Sequence, residues 1–351
     1  MAYTLIDDPS AFFQTKIYSG NSVDDTAITN DGNSNLQPDF VWFKRRNSAT
    51  NHILQDSNRG VTANLESDSG AVEYTATSRI KSFDTDGVTL GTSAGVNGSG
   101  YTYVAWQWKA NGGTTASNSD GTGITSTVQV NTDAGFSIVT YTGIGSGNAN
   151  PSVGHGLGVT PQVVLVKGRS QANAWVMYHY GIDGANSRNK YLILNSTGAS
   201  GTLSNYFGTS ASGGVTSSTF GVYADNQSGN NYLNGTHVAY CFAEKQGYSK
   251  FGKYVGNGNV NGPFIYTGFK PAFVMIKAAT TAGQNWLVQD SKRPAYNPTS
   301  GRLFANTTGA ENTDTELPDF LSNGFKVRST SYGTNKSGET YIYMAFAENP
   351  K

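Results

Sequence analysis

One order of short phrases is written three times along the chain, and that repetition limits the fold more than any single motif does. The opening phrase reads Pro38-Asp39-Phe40-Val41-Trp42-Phe43-Lys44, then Pro161-Gln162-Val163-Val164-Leu165-Val166-Lys167, then Pro271-Ala272-Phe273-Val274-Met275-Ile276-Lys277. A second phrase, Asn51-His52-Ile53-Leu54-Gln55-Asp56, matches Asn285-Trp286-Leu287-Val288-Gln289-Asp290, with Ala174-Trp175-Val176-Met177-Tyr178 between them. Phe83 to Leu90 answers to Phe320 to Val327, and the middle copy shortens it to Phe220-Gly221-Val222. The closing phrases are Val104 to Trp108, Val238 to Glu244 and Ile342 to Glu348. Repetition at this scale describes an array of similar units, which bury their apolar faces and usually bind or build.

Each phrase has the composition of a strand. Val, Ile, Tyr, Phe and Trp run for a few residues and stop at Gly, Asn, Ser or Asp, the residues of tight turns. With 43 glycines in 351 residues, long helices are disfavoured, since each glycine inside a helix costs about 1 kcal/mol relative to alanine. One short helical turn between Pro9 and Thr15 is the exception. The expected fold is all-β: three tandem β-sandwich domains, jelly-roll or lectin-like, at 1–111, 124–246 and 247–351. Residues 112–123, small and polar, read as a flexible linker. Trp108, Phe242 and Phe346 share one column of the closing strand, and each is expected to anchor the core of its own copy.

Charge excludes some partners. Charged residues make up 14% of the chain, 24 basic against 24 acidic, so neither nucleic acid nor an anionic membrane surface is suggested. No apolar run approaches the roughly 18 residues of a membrane span, and no basic, then apolar leader opens the sequence. The expectation is synthesis in the cytoplasm without membrane insertion. Cys241 has no intrachain partner and reads as a packed thiol.

Catalytic and metal motifs fail on context. Gly91-Thr92-Ser93-Ala94-Gly95 fits the nucleophile-elbow pattern, but a strand and not a helix follows it. His52, His155, His179 and His237 have no metal-ligand spacing. Asp84-Thr85-Asp86-Gly87 looks like half of a calcium loop, without the closing carboxylate, and reads as a β-turn. Glu244 and Glu348 recur at one repeat position, which makes them structural or edge-facing and leaves glycan depolymerisation a minor alternative. The chain is therefore read as a non-enzyme without catalytic, metal or cofactor residues. Binding fits the 20 tyrosines better, because a tyrosine ring offers both a flat apolar face and a hydroxyl. The contact candidates, for a ligand or another subunit, are the aromatics of copy-specific loops: Tyr206, Phe207, Tyr232, Tyr296 and Tyr332.

The phrase from Asn30 to Lys44, the run Gly154-His155-Gly156-Leu157-Gly158-Val159-Thr160-Pro161, and the endings Phe242-Ala243-Glu244-Lys245 and Phe346-Ala347-Glu348-Asn349-Pro350 carry a resemblance. Over nearly its whole length the chain resembles a family of repeat-containing structural proteins of tailed bacteriophages, particularly marine ones. That resemblance implies a virion component with lectin-like sandwich domains. It would be homo-oligomeric and joined to other virion proteins, either in a tail fibre or appendage that attaches to host surface glycans, or as capsid decoration or cement with no ligand of its own.

Overall fold

The computed structural model describes residues 6–293, 296–297, 301–313 and 318–349. It is built from strands, which take up 39% of the residues, with helix at 3%. Pro9–Ala11 forms the short turn expected near the start, and the Asp8 carboxylate accepts a hydrogen bond from Ser10 N–H there, capping it.

Each repeat folds as two layers. The larger layer has the same heart in all three, in the order lead, closing, lysine and companion strand, all antiparallel. The lead strands are Phe13–Ser19, Phe136–Thr142 and Ser249–Val255, and the closing strands are Thr102–Trp108, Thr236–Phe242 and Thr340–Phe346. The lysine strands are Phe40–Arg45, Val163–Gly168 and Phe273–Ala278, and the companion strands are Ile53–Asp56, Val176–His179 and Leu287–Asp290. A small three-stranded sheet covers one face in each repeat. In the first it includes the hairpin Ile80–Asp84 and Gly87–Leu90, so Asp84 to Gly87 is indeed a turn. Gly87 sits there at φ +103°, a region that penalises any side chain.

The other face of each large sheet is buried as well. Successive strand side chains point to opposite faces, and the lysine strand uses both. Val41 and Phe43 enter the sandwich of repeat 1, Val164 and Val166 that of repeat 2, and Val274 and Ile276 that of repeat 3. Phe40, Trp42, Val163, Leu165, Phe273 and Met275 turn the other way, into one cluster shared by all three repeats. Repeat 1 sits on repeat 2, repeat 2 on repeat 3, and repeat 3 on repeat 1, a closed ring about a pseudo-three-fold axis.

This overturns the expectation for the closing-strand aromatics. Trp108, Phe242 and Phe346 do not anchor separate cores; they meet at the axis. Their ring centroids lie 5.6 Å (Trp108–Phe346), 5.7 Å (Phe242–Phe346) and 6.4 Å (Trp108–Phe242) apart.

The segment between repeats 1 and 2 is also corrected. Within 112–123, Ala116–Asn118 is a strand added to the edge of repeat 2, and Gly123–Ile124 pairs with Ser152–Gly154 in its small sheet. Its start is held by Asp39, whose carboxylate accepts from the N–H groups of Ala110, Gly112 and Gly113. With Ser126–Asn131, these strands cover edges of repeat 2 whose counterparts in repeats 1 and 3 have no strand beside them among the described residues.

Candidate functional site

The recurring polar residues of the repeat lie at the three seams of the ring. Each strand-ending lysine is buried and donates across a seam: Lys44 Nζ to Thr308 O (2.9 Å), Lys167 Nζ to Gly70 O (3.2 Å) and Lys277 Nζ to Thr197 O (3.3 Å). A second carbonyl, of Thr50, Gly168 or Gln284, completes each site. Burial pushes all three ammonium groups down to about 8. The column of His52, Trp175 and Trp286 crosses the same seams. Their ring nitrogens meet Phe304 O, Glu66 O and Ile193 O at 3.0, 2.8 and 3.0 Å, and each acceptor lies four residues before the one used by the lysine.

Two seams add buried ions. Between repeats 1 and 2, Asp56 pairs with Arg59 at 2.5 Å and accepts from Tyr240 Oη at 2.7 Å, while Glu73 holds Arg169 through two bonds of 2.8 and 2.9 Å. Between repeats 3 and 1, Asp290 pairs with Arg293 at 2.6 Å and accepts from Trp106 Nε1 at 2.9 Å, and Glu311 holds Arg46 in the same bidentate way. The seam between repeats 2 and 3 has His179, Ile182, Ser200 and Ala279 at the matching positions. His179 Nε2 meets Tyr343 O at 3.1 Å, and Ser200 N–H donates to Ala279 O at 2.8 Å.

That seam, without a buried ion pair among the described residues, holds two clefts. One of about 600 Å³ is lined by Gln162, Tyr180, Gly181 and Gly184 on one side and by Lys250, Gly252, Lys253 and Tyr343 on the other. Another of about 330 Å³, with Tyr266, Thr267 and Gly268 on its wall, shares Glu244 and Lys250 with the first. Glu244 and Lys250 pair at 2.8 Å where the two adjoin. Glu244 also accepts from Phe251 N–H (2.9 Å), so its carboxylate plugs the uncovered edge of the lead strand. Glu348 sits at the same repeat position beside Lys292, 3.2 Å away, and burial raises its carboxyl to about 7. Repeat 1 has Ala110 there, opposite the one lead strand that Ser126–Asn131 already covers.

The contact candidates separate on burial. Tyr296, Tyr332 and, in part, Tyr232 reach solvent. Tyr206 and Phe207 do not: they fold back into the sandwich of repeat 2, with Tyr206 against Tyr191 at 4.7 Å and Phe207 against Tyr178 at 5.5 Å. Sequence reasoning missed Tyr180, Tyr266, Lys250 and Lys253. The available signal was the departure of repeat 2 from its columns, where Asp56 and Asp290 become His179, and Arg59 and Arg293 become Ile182.

The chemistry of the remaining candidates is quiet. Ser93 lies in a turn, where its Oγ accepts from Gly95 N–H. Burial raises the Cys241 thiol to about 12 and lowers His155, His179 and His237 to about 4. Among the described residues, no group of three or more His, Cys, Asp or Glu is placed to hold a metal.

Fold and seams together define a class: a single-chain pseudo-trimer of β-sandwiches around a common core. The chain belongs to the family described as a domain of unknown function, DUF7483, whose model matches residues 8–350 and so takes in all three repeats as one unit. Neither the curated proteins nor the solved structures contain a match.

Proposed function

We propose that this protein is a structural and adhesive module of a bacteriophage virion, a tail-fibre or appendage component that attaches the particle to host surface glycans. The observation that carries this reading is the closed ring. Its recurring charged and aromatic residues are spent on joining repeats, which makes a rigid body with pseudo-three-fold shape and leaves loops and clefts for contact. Homotrimeric assemblies present three-fold surfaces, and one chain with the same symmetry suits an axial or three-fold position in a particle. The virion assignment itself is supported by the sequence resemblance.

Two measurements test it. Gold-labelled antibody on intact particles should mark the tail or its appendages. A multivalent display of the protein should bind host cells with an avidity roughly 10² to 10⁴ above that of the single chain, because linked sites raise effective concentration. Label on the head, with tight binding to purified capsid and none to host cells, would instead assign the protein to capsid decoration. Release of reducing ends from host polysaccharide would make it a depolymerase.

A further inference from the structure

We propose that the cleft between repeats 2 and 3 is a binding site for an acidic oligosaccharide; the assignment rests on the attachment reading above and names its ligand class. The cleft is a product of the ring's asymmetry. At the other two seams the turn that matches Tyr180–Gly184 is pinned by a buried Asp–Arg pair, Asp56–Arg59 or Asp290–Arg293, and in repeat 2 the lead-strand edge is covered by Ser126–Asn131. Between repeats 2 and 3, His179 and Ile182 replace that pair, no strand covers the Ser249–Val255 edge among the described residues, and the floor includes Gly181, Gly184 and Gly252. A side chain at Gly252 would come within 2.8 Å of Tyr343 Oη, so the open floor depends on glycine there.

An uncovered strand edge invites another strand. Here the Glu244 carboxylate already occupies the Phe251 N–H, and Lys250 holds that carboxylate in place. The occupant is therefore read by side chains and not by backbone pairing. Tyr180, 49% exposed, and Tyr266, 57% exposed, stand in the walls of the two adjoining clefts. Flat, half-exposed tyrosines suit the apolar faces of sugar rings. Gln162 and the Glu244–Lys250 pair offer donors and acceptors to hydroxyl groups. Lys253 is exposed and has no ion pair among the described residues, which leaves a positive charge for a sugar carboxylate. Clefts of about 600 and 330 Å³ side by side have room for an oligosaccharide rather than one ring.

The test uses the full chain on an array of acidic and neutral oligosaccharides, followed by titration calorimetry with the best acidic binder and its neutral counterpart. Tyr180→Ala, Tyr266→Ala and Lys253→Gln change exposed side chains, and a thermal midpoint equal to the parent's certifies their fold. Expected are a loss of at least tenfold in affinity for Tyr180→Ala and for Tyr266→Ala, and loss of the preference for acidic over neutral sugar in Lys253→Gln. The proposal is overturned if no acidic oligosaccharide binds, or if binding is unchanged in all three variants. Adhesion of the multivalent parent and Tyr180→Ala proteins to host cells separates the two readings. Adhesion kept by Tyr180→Ala sinks the cleft and spares attachment, whereas a parent that does not adhere yet binds acidic sugar through Tyr180 sinks attachment and spares the cleft.

Discussion

Replacing Phe346 by alanine should weaken the whole ring and not the third repeat alone. The ring is 1% exposed and lies within 6.0 Å, centroid to centroid, of Phe13 and Trp108 from repeat 1, Phe242 from repeat 2, and Tyr248, Phe251 and Phe273. Truncating a buried phenylalanine costs about 3–5 kcal/mol, more where the neighbours cannot collapse into the space. Here they are held by three separate sheets, and a small void of about 20 Å³ already remains among them. Several aromatic pairs, each worth about 0.5–1.5 kcal/mol, disappear together, so the upper end, about 5 kcal/mol, is expected. Against a typical stability of about 5–15 kcal/mol that is a large fraction. Denaturant unfolding followed by tryptophan fluorescence should show one transition for the parent and one, at a much lower midpoint, for Phe346→Ala. Hydrogen exchange should speed up in the closing strands of all three repeats. Separate transitions with only the third displaced, and unchanged exchange in Thr102–Trp108 and Thr236–Phe242, would refute the shared core.

Arg59→Met should cost about 3–5 kcal/mol, because it leaves Asp56 buried without its partner, whereas Ile182→Ala at the matching point of the neutral seam should cost about 2 kcal/mol; denaturant midpoints compare the two. Stability should fall on acidification between pH 6.5 and 4, since His155, His179 and His237 are lowered to about 4 in the fold and the unfolded chain takes up protons first. Glu348, raised to about 7, acts in the opposite direction: its contribution is full below pH 4.5 and fades as pH rises through 7. His52, which burial also lowers, joins the three histidines, and Asp68, which burial raises, joins Glu348; with four groups against two, a thermal midpoint that rose on acidification over this window would contradict the burial of the histidines. Cleavage within the exposed 113–117 stretch should leave the pieces associated in size-exclusion chromatography and separate them only in denaturant, because repeat 1 is held by two seams.

Much of this was readable in advance from particular residues. Alternating apolar runs and glycine-bounded phrases are enough for strands, and the matched columns located the lysines, the His52–Trp175–Trp286 set and the Glu244–Glu348 position before any contact was known. What the columns do was hidden. An alternating strand buried on both faces shows the same residues whether its second partner is a sheet of its own domain or a neighbouring repeat, so Trp108, Phe242 and Phe346 looked like three private anchors. Tyr206 and Phe207 misled for a related reason: the insertion that carries them is specific to one copy, as an exposed loop would be, but it returns to its own core. The cleft was hidden because a site made by missing ions has no motif.

The asymmetry explains what one chain gains over three copies. In a homotrimer all seams are identical, so opening a cleft at one by removing its Asp–Arg pair would remove that pair from all three and weaken every contact at once. Among the described residues, the buried pair is absent where the chain itself continues from Phe242 to Ser249 and joins repeats 2 and 3 covalently. The two seams that keep buried ion pairs are the one that closes the ring between distant parts of the chain and the one that follows the longer connection from Trp108 to Phe136, with Asp39 fastening its start. A short tether makes re-association of its two repeats effectively intramolecular at high local concentration, so that seam can give up polar fastening at the least cost in stability. The two adjoining clefts therefore lie where the chain can best tolerate them.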